Sequence, residues 1–171
     1  MGKNKRRFLW DGLLILQRNI LFYFSIIIAF SITLGAILRY LFKTNLYGME
    51  EIVAIFAFWL YFVGGAYGAY EDSHIKADVV SSFVSNKKIK RLLLAFSAGV
   101  TAIYCFIGIY LAWGMVSFSF LRGTQTAVWR VPLWIPQGSV FFGFIMMALY
   151  FSIHFKERIK DVKEVYEKRS S

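Results

Sequence analysis

Cysteine occurs once in this sequence, and proline and histidine occur twice each. With Cys105 alone there can be no intrachain disulfide and no cysteine-built metal site. Cys105 lies in the middle of an apolar run, where a small buried thiol is expected to be unreactive. The histidines, His74 and His154, both fall at the ends of apolar runs. Axial ligands of a haem must face one another at membrane depth, so this placement argues against a haem carrier. No Ser/His/Asp set, glycine-rich phosphate loop or His-Glu-x-x-His motif is present, which leaves no case for an enzyme. Acidic residues are also few, ten against twenty basic ones, for a net charge of +10. In a soluble chain that excess would suggest nucleic-acid binding. Here the basic residues cluster at the ends of apolar runs, so membrane topology and lipid headgroups explain them better.

Charge is missing altogether from four long stretches. They run from Asn19 to Leu38, Ile52 to Tyr70, Leu92 to Leu121 and Val131 to Phe155. A helix needs about 20 residues to cross about 30 Å of hydrocarbon, so each stretch is long enough to span a bilayer. The third is long enough to tilt or project. Pro132 and Pro136 suit a first turn better than a helix interior, which sets the fourth span's start near Leu133. The expected architecture is an all-α membrane protein, a single integral domain over 1–171, with spans near 20–41, 51–70, 92–120 and 133–155. The first run is too long for a signal-peptide core and reaches Arg39 without a small-residue cleavage site, so it reads as a retained span.

Lysine and arginine set the orientation. Sixteen lie before Asn19, between Glu71 and Arg91, or after Phe155, and only Arg39, Lys43, Arg122 and Arg130 lie on the other side. Such a bias puts both termini and the middle loop in the cytoplasm. Tyr40, Tyr47, Trp113, Trp129 and Trp134 then fall at outer headgroup depth, as aromatic anchors. Two further segments read as amphipathic helices in the cytoplasmic interface. In Arg6–Asn19, Leu9, Trp10, Leu13, Leu14 and Leu16 oppose Arg7, Asp11 and Arg18; in Asp72–Asn86, Ile75, Val79 and Phe83 recur at helical spacing. The mixed-charge tail after Lys156 reads as a solvated extension of the last helix.

The residues that stand out are small or sit at helix ends. Gly64, Gly65 and Gly68, with Ala66 and Ala69, make a small-residue patch beside Trp59, and the third run carries Ala95, Ala98, Gly99, Ala102, Gly108 and Ala112. Small residues let helices in lipid approach closely, either within the chain or against another subunit. Arg39 ends the first run, and Glu50 and Glu51 open the second, where the positive end of the helix dipole favours carboxylates. Headgroup contact with capping is one reading of these charges, and an ion pair is the other. Glu71, His74 and Asp78 share one helical face; a metal site there is the sharper reading and cytoplasmic surface contacts the plainer one. None of the four runs carries a charge in its middle, whereas a transporter core has polar residues at mid-membrane and interrupted helices.

Taken in order, these landmarks resemble the small membrane subunit of tripartite ATP-independent periplasmic (TRAP) transporters, the DctQ family. The points of likeness are Arg39-Tyr40 closing an aromatic-rich first span, the paired acids Glu50-Glu51, Trp59-Leu60 and Gly64-Gly65-Ala66, His74 with Asp78 four residues later, and Pro132 and Pro136 followed by Gly138. Lys43 and the Trp129-Arg130 pair have no counterpart in that pattern. The resemblance implies a non-catalytic subunit of a sodium-coupled importer of organic acids, of the sialic acid or C4-dicarboxylate type, in the bacterial inner membrane. It implies a large membrane subunit holding the sodium and substrate sites, a periplasmic substrate-binding protein and interfacial lipid as partners, with no cofactor in this chain. Arg39, Glu50 and Glu51 are then expected to make outer polar contacts. Trp59, Gly64, Gly65 and Gly68 should pack on a partner helix or lipid, and His74 and Asp78 should fix the cytoplasmic helix. Two other classes compete: a self-sufficient small oligomeric transporter or channel, and a membrane anchor for a redox or signalling complex.

Overall fold

The computed structural model describes residues 2–44, 47–71 and 87–167. They form four helices: α1 (Gly2–Tyr40), α2 (Met49–Glu71), α3 (Lys87–Arg122) and α4 (Trp134–Glu167). Each contains a stretch long and apolar enough to cross a membrane: Trp10–Tyr40, Met49–Glu71, Arg91–Arg122 and Trp134–Lys160. The protein is a multi-pass, all-helical membrane protein. The uncharged runs locate all four spans, and α4 begins one residue after Leu133.

Sequence and structure part at the amino end. Arg6–Asn19 is not a separate interfacial helix; it continues unbroken into the first span. At 39 residues α1 is about 58 Å long, well beyond the hydrocarbon thickness. No proline interrupts it, and backbone hydrogen bonding does not register where the bilayer ends. Part of its apolar face meets the protein itself: Trp10 and Leu14 pack against the core, while Leu16 is exposed. The cytoplasmic helix expected over Asp72–Asn86 lies outside the described residues. The carboxyl-terminal extension is present, as α4 continues to Glu167.

In their close backbone contacts the helices form a row in the order α1, α2, α4, α3, and at one end side chains of α1 also reach α4. α4 packs along α3 on one side and α2 on the other, and α1 packs along α2. Helices α2 and α3, neighbours in sequence, do not pack on each other. The central core is made largely of small residues, Ala66 and Ala69 of α2, Ala102 and Cys105 of α3 and Ala148 of α4, with Tyr150 and Phe151. Such side chains bring helix axes close enough for dispersion contacts to hold them, since lipid offers no hydrophobic drive between helices. At Gly143 α4 comes close to the backbone of α2: an added Cβ would lie 2.8 Å from the Phe62 Cβ and 2.9 Å from the Phe62 carbonyl oxygen. Toward the start of α3 Arg158 Nη1 donates to the Leu94 carbonyl at 2.9 Å, tying α4 to α3.

Candidate functional site

Three polar features interrupt these apolar helices, two at the end that holds the α1–α2 and α3–α4 connections and one at the opposite end.

The first is a clasp between α2 and the loop joining α3 to α4. Helix α3 ends in a Schellman arrangement: Gly123, at φ +62°, donates to Phe120 O at 3.4 Å, and Thr124 donates to Ser119 O at 3.2 Å. The chain then folds back on itself. Thr126 N–H donates to Val131 O and Leu133 N–H to Thr124 O, both at 2.9 Å, and Val131 N–H donates to Thr126 Oγ1 at 3.0 Å. The tip of this small hairpin is held by Glu51. Its Oε1 accepts the Val128 N–H at 2.8 Å and its Oε2 the Trp129 N–H at 2.9 Å. Backbone N–H groups with no secondary-structure partner need an acceptor near a membrane, and a carboxylate supplies two side by side. Beside it the Trp129 indole lies over Gly48, whose φ of +84° and missing side chain leave room for the ring. A Cβ there would overlap Trp129 Nε1.

The second feature is a groove of about 480 Å³ between the end of α1 and the start of α2. Ser31, Gly35 and Ala36 of α1 and Ala54 of α2 form its small-residue walls, and Arg39 and Glu50 stand at the end nearest the α1–α2 connection. Both charged residues are exposed. Among the described residues neither is in an ion pair.

The third is a buried amide. Gln17 of α1 is 1% exposed, and its Oε1 accepts the Tyr150 hydroxyl at 3.1 Å. Its Nε2 has no hydrogen-bond partner. Tyr150 is itself held edge-on by Trp10 and tilted against Tyr70, each ring centroid 5.5 Å away. This cluster joins α1, α2 and α4 at the end away from the α1–α2 connection.

The residues singled out from the sequence are therefore dispersed along the row. Glu51 works through loop amides rather than an ion pair, while Arg39 and Glu50 share the groove. Trp59 is half-buried against Phe142, with ring centroids 6.2 Å apart. Gly64 faces Leu21 of α1, Gly65 faces Met147 of α4, and Gly68 faces open space. His74 and Asp78 lie outside the described residues, so of the trio with Glu71 only Glu71 is placed. Among the described residues no group of three or more metal-type side chains comes together. Gln17 escaped the sequence reading. Its one signal is position: it falls three residues after Leu14 and seven after Trp10, a polar side chain on the helix's apolar face.

The sequence profile of tripartite ATP-independent periplasmic transporters, DctQ component, matches residues 28–161. The chain belongs to the DctQ family. It is accordingly a small membrane component of a TRAP transporter. No curated protein matches the sequence. The DctQ match takes in the groove, Glu51 and the outer loop, and it begins after Gln17, so the buried amide contact is formed by one residue outside the matched stretch and one within it.

Proposed function

We propose that this DctQ subunit is a non-catalytic scaffold: a single integral domain that anchors a large transport subunit in the bilayer and broadens its stationary part. The single observation that supports this best is the open row of helices. Among the described residues the helices pack as a chain of neighbours, and the grooves between them are open rather than enclosed. Several hydroxyls within the spans are satisfied locally: Ser25 donates to Leu21 O, Thr33 to Ala29 O and Thr101 to Ser97 O, each four residues back. The many exposed apolar side chains of the spans are available for packing on a partner.

In this reading the large subunit carries sodium and an organic acid of the sialic acid or C4-dicarboxylate type, and a periplasmic binding protein delivers the solute. The chain sits in the bacterial inner membrane with both termini in the cytoplasm, as its basic residues favour. Contacts of Trp59 and Gly68 with a partner helix or lipid, and the fixing of the cytoplasmic helix by His74 and Asp78, belong to the same proposal. Gly68 is the clearest candidate of these, because its open side leaves space for a neighbouring helix.

Reconstitution tests it. The purified chain alone in sodium-loaded or sodium-free liposomes should move no organic acid, and uptake should appear when the large subunit and binding protein are supplied. Accumulation by the chain alone would overturn the scaffold reading in favour of a self-sufficient transporter.

A further inference from the structure

We infer that the bilayer meets this protein along a slanted border, and that the first turns of α3 present a hydrocarbon-covered surface beyond the depth at which α2 has already become charged. The uncharged run of α3, Leu92 to Leu121, has 30 residues and is about 45 Å long. That of α2, Ile52 to Tyr70, has 19 and is about 28 Å long, close to the thickness of the hydrocarbon. At one end the two runs are level. Glu51 of α2 holds the loop that follows Arg122 of α3, and Phe120 meets Trp134 at the start of α4. The difference in length therefore falls at the other end. There Tyr70, the last residue of the α2 run, meets Tyr150 of α4. Farther along α4 the Phe155 ring lies over Gly99, and Arg158 donates to the Leu94 carbonyl. Leu94 thus stands eight residues of α4, about 12 Å, past the level of Tyr70.

The side chains on this stretch are apolar and open. Leu92, Leu93 and Phe96 are 58%, 43% and 70% exposed, and they continue the stripe that Ile103, Ile107 and Tyr110 form along the rest of the helix. The stripe ends where α3 opens, on Lys87, Lys88, Lys90 and Arg91. A border drawn at the level of Tyr70 would leave two apolar turns in water and those cations far from any phosphate. A border at Arg91 covers the turns and brings the cations to the headgroups, the complementary charge. Lys156 and Lys160, exposed on the neighbouring stretch of α4, have stems long enough to reach along the helix toward the same border. An isolated helix with excess apolar length simply tilts. Helix α3 is fastened along α4 from Phe120 to Leu94, so it does not tilt alone and the lipid takes up the difference.

This surface belongs to the chain alone and stands or falls apart from the assembly proposed above. Amide hydrogen exchange of the unmodified full chain is followed in nanodiscs of phosphatidylcholine with 14-carbon or 18-carbon acyl chains. Exchange from Leu92 to Ser97 should be faster in the thinner bilayer, while exchange from Tyr104 to Ile109 stays the same. Protection by packing on α4 alone would not respond to acyl length, so equal exchange at Leu92 to Ser97 in both bilayers overturns the inference. A second measurement locates the cover directly. Spin labels are placed by Leu93→Cys and Phe96→Cys in the full chain carrying Cys105→Ala, with Ile103→Cys and Lys160→Cys as references. Labels at 93 and 96 should match the one at 103, open to dissolved oxygen and closed to a water-soluble nickel chelate. Nickel access equal to that at 160 overturns the inference. So does exclusion of both reagents, which would mean that a second copy of the chain, rather than lipid, covers these turns.

Discussion

Gln17 shows what a single amide does in an otherwise greasy interface. One of its polar atoms is matched by the Tyr150 hydroxyl and the other by nothing, at a site sealed by Trp10 and Leu14. Removing one partner of such a pair leaves the other buried and unpaired, which costs about 1–3 kcal/mol, whereas removing both is close to neutral. Tyr150→Phe should therefore lower the midpoint of thermal unfolding in detergent micelles. The double variant Gln17→Leu with Tyr150→Phe should recover most of the loss, a non-additivity that a double-mutant cycle reads directly. Additive losses would mean that the hydrogen bond contributes little. The sequence does not disclose this pair, because 133 residues separate its members and each alone resembles an ordinary interfacial residue. Arg39, Glu50 and Glu51 were legible as charges at helix ends, since α1 closes just after Arg39 and α2 opens on Glu50 and Glu51. Their partners were not, because the amides that Glu51 holds belong to a loop whose fold depends on Gly123 and on the left-handed Arg130.

Spans are the part of this fold that composition alone locates, because the bilayer imposes its thickness on every uncharged run. Helix ends are another matter. Arg18 marks the end of an apolar run, yet α1 passes straight through it, since hydrogen bonds from one turn to the next are indifferent to the charge on a side chain. The clasp is a feature of elements rather than of one residue, as it joins the start of α2 to the connection between α3 and α4. Glu51→Ala leaves two backbone N–H groups without their acceptor, at about 1–3 kcal/mol for the pair at a partly exposed site. Glu51→Gln keeps one acceptor oxygen and should lose about half as much. Amide hydrogen exchange of Val128 and Trp129 checks this, with faster exchange expected in Glu51→Ala and an intermediate rate in Glu51→Gln. Unchanged exchange at both amides would show that the loop holds its shape without the carboxylate.

At the scale of the whole molecule, the order of the row is what the sequence withholds. Every span is apolar on all sides and every span carries small residues, so no periodic stripe distinguishes the faces that meet. Gly143 decides one contact by admitting the Phe62 backbone, but a glycine in a list of thirteen does not announce which helix it will touch. The arrangement follows instead from shape, and shape is settled only when the helices are side by side.

Position in the row has a bearing on how the protein is made. The third helix emerges from the ribosome before the fourth, yet its only packing partner among the described helices is that fourth one. Until synthesis reaches the fourth span, the first two helices can pair while the third waits unattached in lipid. A chain halted after Arg122 should yield a detergent-stable pair and a loose third segment open to protease, and supplying the fourth helix as a separate peptide should restore its protection. The helix made after the other three is thus the keystone that joins them.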